Sequence, residues 1–312
     1  MQLMHNRITD TSTLSLAFQH VKENHGRSGV DGVTVERFGG DLYENLNKLA
    51  QEIKDRSYVP LPLLKILVDK GNGDARGLCI PTVRDRVAQT AVYHIIEPIL
   101  EKEFEDCSFA YRKGRSVKQA VYCIKEYYEK GYRWVVDADI DAFFDSVDHE
   151  LLLEKLKKYV HDEVILRLIG LWLKTEVWDG ESIKDIDKGI PQGSPISPIL
   201  ANLFLDELDE AFLKKGNRII RFSDDFVVLC KNPKDAQEAL EFTNEVLEKL
   251  LLKLDESDVV SFDQGFKFLG VTFVRSLIMV PFDRPKRERK VFYVPPPLNM
   301  ANYYQKKSGD DG

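Results

Sequence analysis

Apolar positions recur at helical spacing in several stretches of the chain. Val87, Ala91, Ile95 and Ile99 share one face of a helix predicted over 84–103, and Val121, Ile124 and Tyr128 share one over 117–129. The run from Ile199 to Phe212 reads as a strongly apolar helix. Another follows Pro233, a residue that a first helical turn tolerates, and carries Ala236, Leu240, Val246, Leu247, Leu250 and Leu254. Residues 1–60 read as helical around a loop at Gly26 to Gly32. Leu61 to Pro81 reads as two strands about Lys70-Gly71-Asn72-Gly73-Asp74, where Asn-Gly is a hairpin signal. Arg133 to Ile140 reads as a strand, and Asp148 can cap the helix after it, which buries Leu152 and Leu156. Arg218 to Cys230 reads as a hairpin, and Phe266 to Val274 and Leu277 to Phe282 as strands. Strands do not alternate strictly with helices. The expected class is therefore α+β, an antiparallel sheet backed by helices.

A length of 312 residues allows a core with one or two subdomains. No apolar run approaches the ~20 residues of a membrane span, and the first residues lack a secretory pattern. Four cysteines, Cys79, Cys107, Cys123 and Cys230, form no CxxC pair, which suits reduced thiols in the cytoplasm. With 44 basic against 51 acidic residues the net charge is −7. That counts against a protein that coats nucleic acid unaided, but not against one that gathers its basic residues in a groove.

The acids are where chemistry enters. Asp224 and Asp225 stand at the tip of the 218–230 hairpin, between two apolar strands. Adjacent acids at a turn are commonly solvated turn formers. A second apolar strand, however, brings Asp137, Asp139 and Asp141 on one face, with Asp145 and Asp148 just beyond. So many carboxylates need compensation, and metal coordination is the simplest source. If the two strands are neighbours, an acid of the first faces Asp224. Two hard cations held there by oxygen ligands would suit phosphoryl transfer.

The ordered motifs from Gly29 to Val274 resemble the reverse transcriptases of group II introns and their bacterial relatives. GVDGVTVERF (29–38) is similar to the N-terminal extension motif. RGLCIPTVRDRV (76–87) and CSFAYRKGRSVKQAV (107–121) are similar to fingers segments, and DADIDAFFDSVDH (137–149) to motif A. GIPQGSPISPILANLFLDELD (189–209) resembles motif B, FSDD (222–225) motif C, and FKFLGVTF (266–273) the primer grip. Two motifs depart from the pattern. Phe222-Ser223 stand where the family has Tyr-Ala, and Asp141 where motif A has lysine.

The resemblance implies a right-hand polymerase palm with fingers and a reduced or missing thumb. The divisions expected are an N-terminal extension over 1–60, fingers over 61–132, palm over 133–283 and a basic, proline-rich tail or linker over 284–312. It also implies an RNA-directed DNA polymerase with two Mg²⁺ ions, Mn²⁺ substituting. Asp139, Asp224 and Asp225 would be catalytic, with Asp139, Asp224 and the carbonyl of Ile140 as metal ligands. Lys70 and Arg76 would grip the triphosphate, and Gln192 would contact the nucleotide. Phe144, or Phe143 if the alignment slips by one, would wall off a ribose 2′-hydroxyl. Arg112, Lys113 and Arg115, with Lys118 beside them, would meet the template. Gly193 would line the floor under the new base pair, and Phe268, Leu269 and Gly270 would hold the primer end. The partners implied are an RNA template, a DNA or RNA primer, dNTPs, and a fused or associated protein. A CRISPR spacer integrase, and so antiviral defence, is favoured for that partner. The short segment after Gly270 implies weak hold on primer-template without it. Retron, diversity-generating and phage-defence enzymes are the alternatives within the resemblance. A non-catalytic RNA-binding subunit with a retained polymerase fold is the alternative outside it, and the intact acids argue against that.

Overall fold

Four helices lead the chain: α1 (Met4–Ile8), α2 (Thr11–Glu23), α3 (Val35–Gly40) and α4 (Leu42–Lys54). Asp10 and Thr34 cap α2 and α3, and α4 buries Leu46, Leu49 and Ile53 from one stripe. β1 (Leu63–Asp69) and β2 (Ala75–Ile80) pair antiparallel from Leu64↔Ile80 to Asp69↔Ala75. Then come α5 (Val83–Leu100), α6 (Val117–Glu129), β3 (Trp134–Ile140), α7 (Phe143–Ser146), α8 (His149–Lys157) and α9 (Glu163–Leu173). The short β4 (Val177–Trp178) and β5 (Ile183–Lys184) precede α10 (Ser197–Lys214), β6 (Arg218–Phe222), β7 (Asp225–Cys230) and α11 (Pro233–Lys249). The last strands are β8 (Leu254–Ser261), β9 (Phe266–Phe268), β10 (Val271–Val274), β11 (Leu277–Met279) and β12 (Val291–Tyr293). This computed structural model describes residues 4–69, 73–280, 290–300 and 303.

The chain divides into two compact units. One gathers Met1–Ile99, Leu156–Ser197 and Glu288–Gly312, the other Leu100–Lys155 and Pro198–Arg287. The second unit is built on a four-stranded antiparallel sheet in the order β6-β7-β3-β8. Side chains alternate across β3. Val135 joins α6 and the β9–β10 hairpin in a core with Ile124, Val227, Leu229, Phe262 and Phe273. Helix α11 packs against β3, β7 and β8. The antiparallel, helix-backed α+β architecture is the one expected from the pattern.

The first unit holds a sheet ordered β12-β1-β4-β5, with β2 on β1. The described residues of the expected tail pack here. β12 pairs with β1 at Leu67↔Tyr293 and Val68↔Val291. Trp178 Nε1 donates to the Pro296 carbonyl at 2.9 Å, and the Leu298 amide to the carbonyl of Val30 at 2.9 Å. Val291, Leu298 and Met300 cover Leu64, Ile66 and Val68. Apolar side chains between prolines thus serve as an edge strand and a cover, where composition alone suggested a linker. Among the described residues no helix is long and apolar enough to cross a membrane.

Candidate active site

The sheet of the second unit sets the carboxylates. β3 and β7 run antiparallel, with Asp137 opposite Val227 and Ala138 opposite Phe226. The next step of that register brings Asp139 opposite Asp225, on the same sheet face. Both side chains are exposed. β6 and β7 close at Phe222↔Asp225, so Ser223 and Asp224 form a two-residue turn. Ser223 is at φ 66°, and Asp224 is half-buried. On its other side β3 slips register against β8 between Ala138 and Ile140. A bulge of this kind re-aims a side chain. The Asp139 carboxylate accepts the Ile140 amide at 2.9 Å, and the Ile140 side chain is buried.

A cleft of about 440 Å³ opens beside these acids. One wall is Asp137, Ala138, Asp139 and Asp225, with Ser257 and Asp258 from β8. The other is Lys267, Phe268, Leu269 and Gly270. The latter segment was expected as part of one strand. It is a tight hairpin instead, because Leu269 and Gly270 both take positive φ, 52° and 74°, and turn β9 back into β10. Asp137 lies directly across from Asp258. Burial, then the charges of Asp258 and Asp139, push its carboxyl up to about 6. Asp224 and Ile140 are not among the cleft's lining residues.

Other expected residues fall as follows. Phe143 is buried against Phe204, with ring centroids 6.3 Å apart, whereas Phe144 is half-buried beside it. Arg112 is buried, and its guanidinium is spent on Glu101 and on the carbonyls of Phe104, Glu105 and Ser108. All five of its donors are used, so the expected template contact is corrected to a structural role: Arg112 fixes the 101–112 segment. Arg115 pairs with Asp106 and lies over the Phe109 ring. In the first unit, Arg76 is exposed on β2. The 189–193 loop docks on that strand, since the Cys79 amide donates to the Gln192 carbonyl at 2.7 Å. Gly193, at φ 116°, leaves no room there: a Cβ would stand 2.7 Å from the Cys79 oxygen. Lys70 lies outside the described residues.

Residues 68–273 match the family described as reverse transcriptase (RNA-dependent DNA polymerase). The chain belongs to this family. The reverse transcriptase is 31% identical over 288 residues to protein YkfC of Escherichia coli K12, covering 79% of this chain and 76% of that protein. It is 35% identical over 200 residues to the group II intron-encoded protein LtrA of Lactococcus lactis, covering 64% of this chain and 33% of LtrA. Among solved structures it is similar to a chain of a partial Cas6-RT-Cas1–Cas2 complex, with 29% identity and a TM-score of 0.50. That match covers 80% of this chain and 42% of the other. Telomerase from Candida albicans shares the fold, with a TM-score of 0.56 at 13% identity. By family the enzyme is an RNA-directed DNA polymerase, a class that uses divalent metal ions, typically Mg²⁺.

The residues present fit such an ion in their chemistry. The donors at the mouth of the cleft are hard carboxylate oxygens from opposed strands. Mg²⁺ takes one or two carboxylates with substrate phosphates and water rather than a closed protein cage. Among the described residues no group of three or more His, Cys, Asp or Glu side chains is arranged to hold an ion.

Two charged residues of the reverse transcriptase's cleft escaped the sequence reading, Asp258 and Lys267. β8 reads LDESDVVS, and its acids hide the apolar alternation that marks a strand. Its paired valines, Val259 and Val260, were the available signal.

Proposed function

We propose that this reverse transcriptase copies RNA into DNA by nucleotidyl transfer at Asp139, Asp224 and Asp225. The observation that carries the reading is that Asp139 and Asp225, from the paired strands β3 and β7, line one cleft whose far wall is the Phe268–Gly270 hairpin. In the reaction a bond forms between the primer 3′-oxygen and the α-phosphorus of a dNTP. The bond to the β-phosphate oxygen breaks, and pyrophosphate leaves. Asp139, Asp224 and the Ile140 carbonyl would hold two Mg²⁺ ions, or Mn²⁺ in their place, and Asp225 would complete the triad. When bound, the ions neutralise phosphate charge and lower the pKa of the attacking hydroxyl. Arg76, with Lys70, forks onto the triphosphate. Gln192 and Gly193 floor the new base pair. Phe144 fills the volume a 2′-hydroxyl would need. Phe268, Leu269 and Gly270 hold the primer end, while Lys113 and Arg115 meet template phosphates.

The natural setting we infer is spacer acquisition beside a Cas1-type integrase, from RNA templates. The likeness at 29% identity to the chain of the Cas6-RT-Cas1–Cas2 complex supports this. Primer extension on a defined RNA template tests the catalytic reading. DNA products that depend on template, dNTPs and Mg²⁺ are expected, and no extension on any RNA template would overturn it. Co-purification with a co-encoded integrase, followed by sequencing of acquired spacers, tests the setting. Spacers drawn only from DNA would remove the RNA role.

A further inference from the structure

We propose that Arg221 is a positioning residue that aims Asp224, and through it sets the affinity of the site for its divalent cation. This rests on the assignment of Asp224 as a metal ligand. Arg221 lies on β6, one residue before the pair that closes the turn, and its side chain is fully buried, as is that of Asp209 on α10. Its Nε and Nη2 fork onto the Asp209 carboxylate at 2.6 to 3.0 Å. Nη1 donates to Asn202 Oδ1 at 3.0 Å and to the Ser223 carbonyl at 2.9 Å, and Nη2 to Ser108 Oγ at 2.9 Å. A guanidinium has five N–H donors, and these contacts use all of them.

The contact that matters for chemistry is the one to Ser223. Its carbonyl belongs to the planar peptide joining Ser223 to Asp224. Holding that oxygen fixes the plane, and with it the direction in which the Asp224 side chain leaves the turn. The turn closes on the Phe222↔Asp225 pair, yet its backbone is strained. Ser223 sits at φ 66°, costly for a residue with a Cβ, and its hydroxyl is buried without a hydrogen-bond partner among the described residues. Asn202 extends the restraint by donating from Nδ2 to the Ala110 carbonyl at 2.9 Å. One guanidinium therefore ties the turn to α10 and to the segment at 108–110. Buried ion pairs add little net stability compared with apolar packing, so geometry is the better account of this one. A lysine here would keep the charge but lose the planar fork that serves Asp209 and Ser223 together.

The test compares the full chain with its Arg221→Lys and Asn202→Ala variants. Each is bound to an RNA template, a dideoxy-terminated DNA primer and the next dNTP, so that no turnover occurs. Mn²⁺ binding is read from the electron paramagnetic resonance signal of the free ion, and Tm is measured alongside. The dissociation constant for Mn²⁺ should rise about ten-fold in Arg221→Lys and less in Asn202→Ala, the size expected for a partner behind a ligand. Polymerisation by the variants should recover at high metal concentration. Wild-type Mn²⁺ affinity with a lowered Tm would mean a merely structural role and would overturn the proposal. If Arg221→Lys does not fold, Asn202→Ala decides in the same way. Asp224→Asn separates the two readings. Wild-type activity and metal dependence in that variant would remove the assignment of Asp224 itself. An inactive Asp224→Asn beside an Arg221→Lys that binds Mn²⁺ normally would remove only the positioning role.

Discussion

Phe143 and Phe144 show how neighbouring residues of one type separate by environment. Phe143 is spent on the core against Phe204, so only Phe144 has surface to offer a sugar. Phe144→Ala should therefore admit ribonucleotides, reducing the preference for dNTP over rNTP by about ten-fold or more, as removal of a steric wall worth a kcal/mol or two would do. Single-nucleotide insertion with each substrate measures it, and an unchanged ratio would reassign the gate. Asp206 on α10 makes a second case. Burial, followed by the nearby charge of Asp209, raises its carboxyl to about 7. The folded state then holds a proton that the unfolded chain has already lost. Stability falls as pH rises from the ordinary carboxylate range to about 7, and the loss is complete above that. A side-chain amide cannot ionise, so Asp206→Asn should match the wild type near pH 4. It should exceed the wild type by about 1–2 kcal/mol at pH 8 in denaturant unfolding. A difference independent of pH would contradict the assignment.

At the scale of elements, the loop at 189–193 is the sharpest constraint. Its glycine at 193 meets the backbone of β2, so Gly193→Ala must either lift the loop or displace the strand. A loss of about 1–3 kcal/mol is expected from the close approach and the positive φ. A raised KM for dNTP should accompany it, measured against unchanged primer affinity. Equal effects on both substrates would argue for simple unfolding. The elements that the sequence made legible are those in which pattern and chemistry agree. β3 and the β6–β7 hairpin are apolar strands interrupted by acids towards their ends, α6 carries a clean apolar face, and α10 is apolar through most of its length. β8 was illegible because Asp255, Glu256 and Asp258 leave no apolar alternation to read in most of its length. The turn at Leu269–Gly270 was hidden in a strand-like stretch, Phe266 to Phe273, in which only the glycine marked the reversal. Arg221 could not be ranked from sequence. A lone arginine in an apolar strand does not reveal that Asp209, twelve residues earlier, will neutralise it.

For the molecule as a whole, the expected roles divide between the two units. Arg76, Gln192 and Gly193 belong to the first, with Lys70 outside the described residues, and the three aspartates and the primer hairpin belong to the second. The segment at 290–300 closes the sheet of the first unit on β1, the strand that leads towards Lys70. Sequence composition could not show this, because proline-rich extended chain looks alike whether free or docked. The net charge of −7 is compatible with a polymerase whose acids include its metal ligands and whose cations are locally concentrated. The central claim, that the aspartates at the β6–β7 turn perform DNA synthesis on RNA, is tested most directly by Asp224→Asn. The substitution keeps the shape of the side chain and removes its charge. Primer extension on an RNA template with Mg²⁺ should fall by at least about 10²–10³-fold, the scale of losing a main electrostatic stabiliser, while Tm stays within a few degrees of the wild type. Extension by the variant at the wild-type rate would contradict the account.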